Sequence, residues 1–197
     1  MPQIAVKSET VTNALDAIYK RRSVRSYAPQ TLSYEIIHSL LKAAVQAPTA
    51  VHEEPWAFTV IENKETLKRL SDAAKKTMNE VERSLHVPGR QMSTHFTPPE
   101  NIFHNAPALV VIYGKPMGPF VVADCWLAAE NLMLAACAQG LGTCVIGLAV
   151  AALNAPEWKK ELGVPGDVTA IAPIIVGVPE GITPPTSRKE PQILLWK

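Results

Sequence analysis

Residues 131–156 read NLMLAACAQGLGTCVIGLAVAALNAP, and these 26 residues include no Asp, Glu, Lys or Arg. About 20 consecutive apolar residues are enough to cross a membrane, so the stretch first raises the question of a membrane span. The Gly-Leu-Gly at residues 140–142 interrupts any single helix through it. We therefore predict a buried helix, a turn and a buried strand here, and no membrane span.

The overall composition is that of a folded protein with little net charge. Of the 197 residues, 47% are hydrophobic and 19% are charged, and the net charge is +1. This apolar fraction excludes a disordered chain, and the near-zero charge argues against a nucleic-acid binder with a broad basic face. The length fits one domain, or at most two small ones, and we expect a single domain over residues 1–197.

Two features of the sequence predict a cytoplasmic protein. The N-terminal residues 1–9 lack the apolar segment of a signal peptide. Cys125, Cys137 and Cys144 form no CxxC pair and lie in apolar surroundings, as is typical of free thiols in a reducing compartment.

Hydrophobic periodicity predicts helices and strands on both sides of the uncharged stretch. Ser33 is the expected N-cap of the second helix, and Asn154 with Glu157 the expected capping box of the last one, which Gly163 closes. Four strands interleaved with helices indicate a layered α/β-type domain. The predicted helices are 11–20, 33–46, 64–85, 121–139 and about 155–162, the strands 56–61, 108–113, 143–147 and 168–176, and residues 86–106 are loop.

The densest chemical signal is the sequence KRRSVR at residues 20–25. Arginine side chains bind phosphate oxygens through two hydrogen bonds, and a serine hydroxyl adds a neutral donor. A local cluster on a nearly neutral protein suits one phosphate better than a polyanion. On its own, the pattern is also that of a solvated basic turn.

Three further segments are candidates for a binding site. Residues 47–58, APTAVHEEPWAF, combine small side chains that let a backbone approach a flat ligand, although they also fit a helix end followed by an anchoring Trp. Residues 140–147, GLGTCVIG, lack the glycine spacing of a dinucleotide fingerprint and the lysine of a P-loop. Residues 186–189, TSRK, form a second basic patch. His86, His95 and His104 fit no metal-ligand pattern, so we predict no metal site.

Taken in order, these segments resemble the FMN-dependent nitroreductase family over about residues 12–191. The matching motifs are Arg-Arg-Ser-x-Arg at 21–25, Ala-Pro-Thr-x-x-His-x-Glu-Pro-Trp at 47–56, an apolar helix with an early Asp124, Gly-Leu-Gly-Thr-x-x-Ile-Gly at 140–147, Gly-x-Pro at 177–179 and Arg-Lys at 188–189. The resemblance implies an α+β fold with a central, mainly antiparallel sheet flanked by helices. It also implies a homodimer with two FMN molecules in its interface. The apolar end of the tail, residues 193–196, must cover either its own domain or a partner's, and we expect it to embrace the partner subunit.

The resemblance further implies roles for single residues. Phosphate ligands are expected at Arg21, Arg22, Ser23 and, from the tail, Arg188. Arg25 is expected at the pyrimidine edge of the flavin, where a cation stabilises the negative charge that reduction places near N1. A segment that packs on the partner's flavin is expected at Pro48, Thr49, Ala50 and His52, and backbone that approaches N5 at Ile146 and Gly147.

Two positions depart from the family pattern: His52 replaces the usual Asn, and Glu54 replaces the usual Gln. A carboxylate near the reduced flavin makes reduction harder unless His52 is protonated and pairs with it. Alternatively, Glu54 points to solvent or caps the strand, or the substrate preference has changed.

The expected function is that of an FMN-dependent NAD(P)H oxidoreductase that reduces nitroaromatics, quinones or other electron-poor substrates by a ping-pong hydride transfer. The flavin itself is the reacting group, Arg25 tunes it, and no side-chain acid or base is expected. Two alternatives remain open: a flavoprotein of the same fold that carries out reductive dehalogenation or flavin breakdown, and a non-catalytic protein that binds flavin or another phosphate-bearing ligand.

Overall fold

The computed structural model describes residues 13–84 and 98–197. The helices are α1 Ala14–Lys20, α2 Tyr34–Ala44, α3 Lys64–Ser84, α4 Val121–Ala138, α5 Val150–Asn154 and α6 Pro156–Glu161. The strands are β1 Trp56–Ile61, β2 Ala108–Gly114, β3 Gly142–Val145 and β4 Thr169–Gly177, and short 3-10 turns span Ala50–His52 and Gly147–Ala149. Residues 86–97 of the predicted loop, with His86 and His95, lie outside the described residues.

The four described strands form one sheet in the order β1-β2-β4-β3, and every neighbouring pair is antiparallel. The expected α+β fold is therefore confirmed, whereas the α/β-type layering inferred from the element order is wrong. The physical reason lies in the position of β4. Strands β2 and β3, which precede and follow α4 in the sequence, run in the same direction, as in a parallel crossover. Strand β4 lies between them in the sheet and runs opposite to both.

The sheet is covered on both faces. All seven residues of β2 are buried, and successive residues face opposite helical layers. Val110 and Ile112 belong to the cluster formed with α2 and α4. Leu109 and Val111 belong to the cluster formed with α3, α5 and α6. A strand buried on both faces reads as the continuous apolar run from which it was predicted.

Helix α4 is apolar around most of its circumference. It is long and apolar enough to cross a membrane by length and composition, yet its inner side, including Cys125 and Leu132, is fully buried against the sheet. The rest of the uncharged stretch forms the turn at Gly140, strand β3 and helix α5. The predicted sequence of buried helix, turn and buried strand is thus confirmed.

Two of the predicted helix caps differ in outcome. Ser33 caps α2 as expected, since its hydroxyl accepts a hydrogen bond from Ile36 N. The predicted capping box at Asn154 is wrong, because α6 has no side-chain cap. The Asn154 amide instead turns to β4, where it donates to Ala170 O at 3.0 Å and accepts from Ala170 N at 2.8 Å. It thereby satisfies both backbone groups of a residue that is 1% exposed.

The C-terminal tail leaves the sheet beside the segment that follows α1. Ala28 N donates to Val178 O at 2.9 Å, and Glu180 N donates to Ser26 O at 3.0 Å. From residue 181 onwards the tail is irregular and almost entirely exposed, with Trp196 83% exposed.

Candidate functional site

Two segments far apart in the sequence, residues 21–25 and 140–147, lie side by side in the structure. Val24 N donates to Thr143 O at 2.9 Å, and Ser23 forms a parallel bridge with Thr143. A Cβ atom added to Gly142 would lie 2.7 Å from Val24 Cβ, so only glycine permits this close approach. The bond therefore joins the predicted basic cluster to the predicted glycine-containing segment.

The arginines at the end of α1 are held in defined positions. Arg22 Nη1 donates to Tyr19 O at 2.6 Å and to Arg21 O at 2.8 Å. Arg21 Nε lies 3.6 Å from Oε1 of Glu130 on α4, and the Arg21 side chain is only 21% exposed. Such fixed guanidinium groups lose little entropy when they bind an anion, which suits the expected contact with a phosphate.

Arg25 lies at the wall of a polar cavity of about 660 Å³. The other walls come from the outer face of α3, the turn at residues 99–105 and the start of the tail. Burial, and after it the guanidinium of Arg25, lowers the pKa of His104 below its usual value. Charged and polar groups thus line the cavity beside Arg25, the residue expected at the pyrimidine edge of a flavin.

The segment that precedes β1 contains several residues in a left-handed conformation. The φ angles of Val51, His52 and Glu54 are 46°, 59° and 47°, an unfavourable region for residues other than glycine and most unfavourable for a β-branched residue. Asp124 is 4% exposed, and its two carboxylate oxygens each lie 3.3 Å from Ala50 N. The early acidic residue of α4 therefore holds the start of a strained loop, a feature that concentrates at functional sites.

The side chains of this loop face outwards from the chain that carries them. Pro48, His52 and Glu54 are exposed, whereas Thr49 and Ala50 are half-buried. Among the described residues, the ion pairs of one chain do not include His52 with Glu54. The role of Glu54 beside a flavin stays a prediction.

Ile146 and Gly147 follow β3 directly. Ile146 is buried, and its N–H donates to Pro173 O at 2.8 Å. Gly147 is exposed, and a Cβ atom added there would meet nothing within 4 Å. It begins a 3-10 turn, so its N–H has no acceptor within that turn. The open backbone surface at Gly147 can accommodate a flat ring.

The remaining predicted site residue, Arg188, is exposed on the tail and distant in sequence from the basic residues 21–25. The tail beyond residue 181 does not pack into the core of its own chain.

Cys144, which lies beside the cluster, is 3% exposed, and this burial raises the pKa of its thiol despite the opposing effect of Arg25. Within residues 13–84 and 98–197, no group of three His, Cys, Asp or Glu side chains could hold a metal ion.

Three residues at or near the site were not predicted as such from the sequence. Glu130 contacts Arg21, and His104 shares the cavity with Arg25. Asp124 was noted as a motif residue, but its contact with the loop was not predicted. No local pattern predicts these contacts, because each residue acts on one that is remote in sequence.

Comparison with known proteins identifies relatives over nearly the whole chain. The model of the nitroreductase family matches residues 18–178. A protein of Archaeoglobus fulgidus named "Putative NADH dehydrogenase/NAD(P)H nitroreductase" is 29% identical over 84% of this chain and 85% of its own length. An iodotyrosine deiodinase of Thermotoga neapolitana is 26% identical over 89% of this chain and 93% of its own. The crystal structure of a nitroreductase with bound FMN from Bacteroides fragilis superposes with a TM-score of 0.76, at 25% identity, over 95% of this chain and all of that one.

Proposed function

The chain belongs to the nitroreductase family, and we propose that it is an FMN-dependent NAD(P)H oxidoreductase that reduces electron-poor substrates. One observation carries the proposal: the Val24–Thr143 hydrogen bond joins the basic residues 21–25 to β3, the strand that leads to the open backbone at Gly147. A phosphate-bearing ligand with a flat ring needs both features on one connected surface. The FMN in the Bacteroides fragilis relative and the NAD(P)H in the name of the Archaeoglobus fulgidus relative support the same chemistry.

The residues present fit FMN. Arg21, Arg22 and Ser23 hold the phosphate, which is favoured by charge-assisted hydrogen bonds. The missing side chain at Gly147 leaves room for the ring edge that carries N5. When bound, FMN supplies the hydride-transfer chemistry that no side chain of this chain can supply.

The chain's own residues position and tune this chemistry. Arg25 places a positive charge at the pyrimidine edge and so stabilises the negative charge that reduction creates near N1. Ile146, buried and hydrogen-bonded to Pro173 O, fixes the backbone that leads to Gly147. The loop with Pro48, Thr49, Ala50 and His52 covers the flavin of a partner subunit, and Asp124 holds that loop in place.

We also propose that two copies of this domain associate, since a single chain exposes a broad apolar surface. Leu15 and Tyr19 on α1 are 62% and 72% exposed, and Trp126 and Leu127 on α4 are 42% and 46% exposed. Exposed apolar surface on this scale marks an interaction site. The apolar end of the tail, Leu194 to Trp196, embraces the partner, and this brings Arg188 to a phosphate site in the dimer.

The dimer can be tested by sedimentation of a chain truncated after residue 181, with full-length Arg188→Ala as the matched variant. The truncated chain is expected to dissociate more readily and to bind FMN more weakly. Arg188→Ala is expected to remain dimeric and to lose only FMN affinity. If the truncated chain sediments like the full-length protein, the tail does not contribute to the dimer.

One relative favours a second candidate function within the same fold. The similarity to the Thermotoga neapolitana iodotyrosine deiodinase covers 89% of this chain. Reductive dehalogenation is therefore an alternative to the reduction of nitroaromatics, quinones or activated alkenes.

We also propose that the protein is cytoplasmic, on the basis of its three free thiols.

The experiment that tests the function is an anaerobic half-reaction assay on the FMN-loaded protein. NADH or NADPH is expected to bleach the flavin absorbance, and a nitroaromatic or a quinone is expected to restore it. Recovery with 3-iodotyrosine but not with a nitroaromatic would favour the dehalogenase. A yellow protein that neither nicotinamide reduces would contradict NAD(P)H dependence.

A further inference from the structure

A tightly built turn at residues 101–105 holds a histidine in an unfavourable conformation. The φ angles of His104 and Asn105 are 51° and 56°, in the left-handed region that Asn and His adopt more often than most residues but that still costs energy. Asn101 Nδ2 donates to Asn105 Oδ1 at 2.9 Å, and His104 N donates to Asn101 O at 3.0 Å. Ile102 N donates at 3.1 Å to the hydroxyl of Ser71, which is 1% exposed and anchors the turn to α3.

The turn places His104 in the same cavity as Arg25. The other charged or titratable groups that line this cavity are Tyr27, Lys68, Asp72, Lys75, Glu100 and Glu180. Several of them are engaged elsewhere. Lys75 Nζ contacts Asp72 Oδ1 at 2.9 Å, and Glu180 Oε2 accepts from the Ser26 hydroxyl at 3.2 Å.

These contacts leave Arg25 as the charged neighbour with the clearest effect on His104. Burial is the first cause, and the Arg25 guanidinium the second, that lowers the pKa of His104 below its usual value near 6.5. The imidazole is therefore mainly neutral at pH 7 in the cofactor-free protein, although Asp72, Glu100 and Glu180 line the same cavity.

We propose that His104 is a second residue at the pyrimidine edge of the cofactor, beside Arg25, and that it binds a proton when the cofactor is reduced. The inference rests on the proposed function, which places the pyrimidine edge of FMN at Arg25. Reduction would add two electrons and one proton to bound FMN and leave one negative charge near N1, and His104 would take up one further proton from solvent.

The sign of the coupling follows from electrostatics. A negative charge beside Arg25 offsets the effect of the guanidinium on His104 and so raises the pKa of the imidazole. Between the pKa of His104 in the oxidised protein and its higher pKa in the reduced protein, reduction takes up one extra proton. The extra proton adds a further tenfold change in the equilibrium constant of reduction per pH unit. For a two-electron couple this steepens the dependence of the potential on pH by about 30 mV per pH unit.

The test is the reduction potential of the FMN-loaded protein between pH 5 and pH 8, measured with xanthine, xanthine oxidase and a reference dye. His104→Asn is the test variant, since Asn tolerates the left-handed backbone and stays neutral throughout. His38→Gln, on α2 and away from the cavity, is the matched control. We expect a steeper potential–pH dependence for the wild type and His38→Gln than for His104→Asn over part of this range.

Identical pH dependences for the wild type and His104→Asn would overturn the inference. If His104→Asn does not fold, NMR titration of the His104 imidazole in the wild-type holoprotein decides: a higher pKa after reduction supports the proposal, and an unchanged pKa overturns it. A protein that takes up no FMN would instead overturn the proposed function, so the two failures are distinguishable.

Discussion

The buried carboxylate of Asp124 provides a quantitative test of how the loop before β1 is held. Ala50 N–H is shared between its two oxygens, each at 3.3 Å. A hydrogen bond to a charged group contributes about 1.5–3 kcal/mol and one to a neutral group about 0.5–1.5 kcal/mol. Asp124→Asn preserves the shape of the side chain, so it is expected to weaken the hold on the loop by about 1.4 kcal/mol, a factor of about ten.

Because the loop is strained, weakening the hydrogen bond between Ala50 N and residue 124 is expected to have a measurable effect. Val51, His52 and Glu54 have left-handed φ angles of 46°, 59° and 47°, and each such residue costs on the order of 1–3 kcal/mol. Once the bond is weakened, the loop is expected to open more often, and the Ala50 amide to exchange with solvent deuterium about tenfold faster. Hydrogen exchange followed by NMR or mass spectrometry measures this rate.

The control for Asp124→Asn is Glu130→Gln, which removes a charge from the exposed face of the same helix. It is expected to leave Ala50 exchange unchanged, because Glu130 contacts Arg21 and not the loop. Exchange at Ala50 within twofold of the wild type in Asp124→Asn would refute the reasoning that the carboxylate holds the loop.

Three further substitutions have defined expectations. Asn154→Ala leaves both buried backbone groups of Ala170 unpaired and is expected to cost about 2–4 kcal/mol, lowering the melting temperature by about 5–15 °C in a calorimetric scan. Gly147→Val is expected to leave the melting temperature of the FMN-free protein unchanged, because the added atoms enter open space. It is expected to weaken FMN binding about tenfold, because the valine side chain overlaps with the flavin. Gly166→Val, also in open space, is the matched control and is expected to change neither the melting temperature nor FMN binding. Glu54→Gln is expected to raise the reduction potential of bound FMN, since it removes a negative charge near the reduced flavin.

Each of these expectations has a contradicting result. Asn154→Ala with an unchanged melting temperature would show that the amide does not secure β4, and Glu157→Gln serves as its control because Glu157 takes no part in a cap. Unaltered FMN affinity in Gly147→Val would place the flavin elsewhere. An unchanged potential in Glu54→Gln would remove the electrostatic role of that carboxylate.

The elements that sequence periodicity predicted best are those whose burial follows a simple pattern. In α2, Ile37, Leu40 and Ala44 recur at helical spacing and are all buried, and β2 is apolar throughout because both its faces are covered. Strand order was not predictable in this way. The insertion of β4 between β2 and β3 is a long-range choice that leaves no trace in local spacing.

The candidate site likewise has features that the sequence predicts and features that only the fold reveals. The basic and glycine-containing segments are visible in the sequence, but their contact depends on Val24 and Gly142, whose close approach only the fold reveals. Asn154 was misassigned because an amide next to a helix start suits a cap and a strand clamp equally well. His104 carries no recognisable motif, and its neighbour Arg25 comes close only through the packing of the 99–105 turn.

The most direct test of the proposed FMN site is a titration of the purified protein with FMN and, separately, with riboflavin, in which quenching of the flavin fluorescence reports binding. We expect a yellow protein with one FMN per chain. We also expect riboflavin to bind at least about a hundredfold more weakly, since riboflavin lacks the phosphate that Arg21 and Arg22 hold through charge-assisted bonds of about 1.5–3 kcal/mol each. A colourless protein that takes up no added FMN, or one that binds riboflavin as tightly as FMN, would contradict the proposed site.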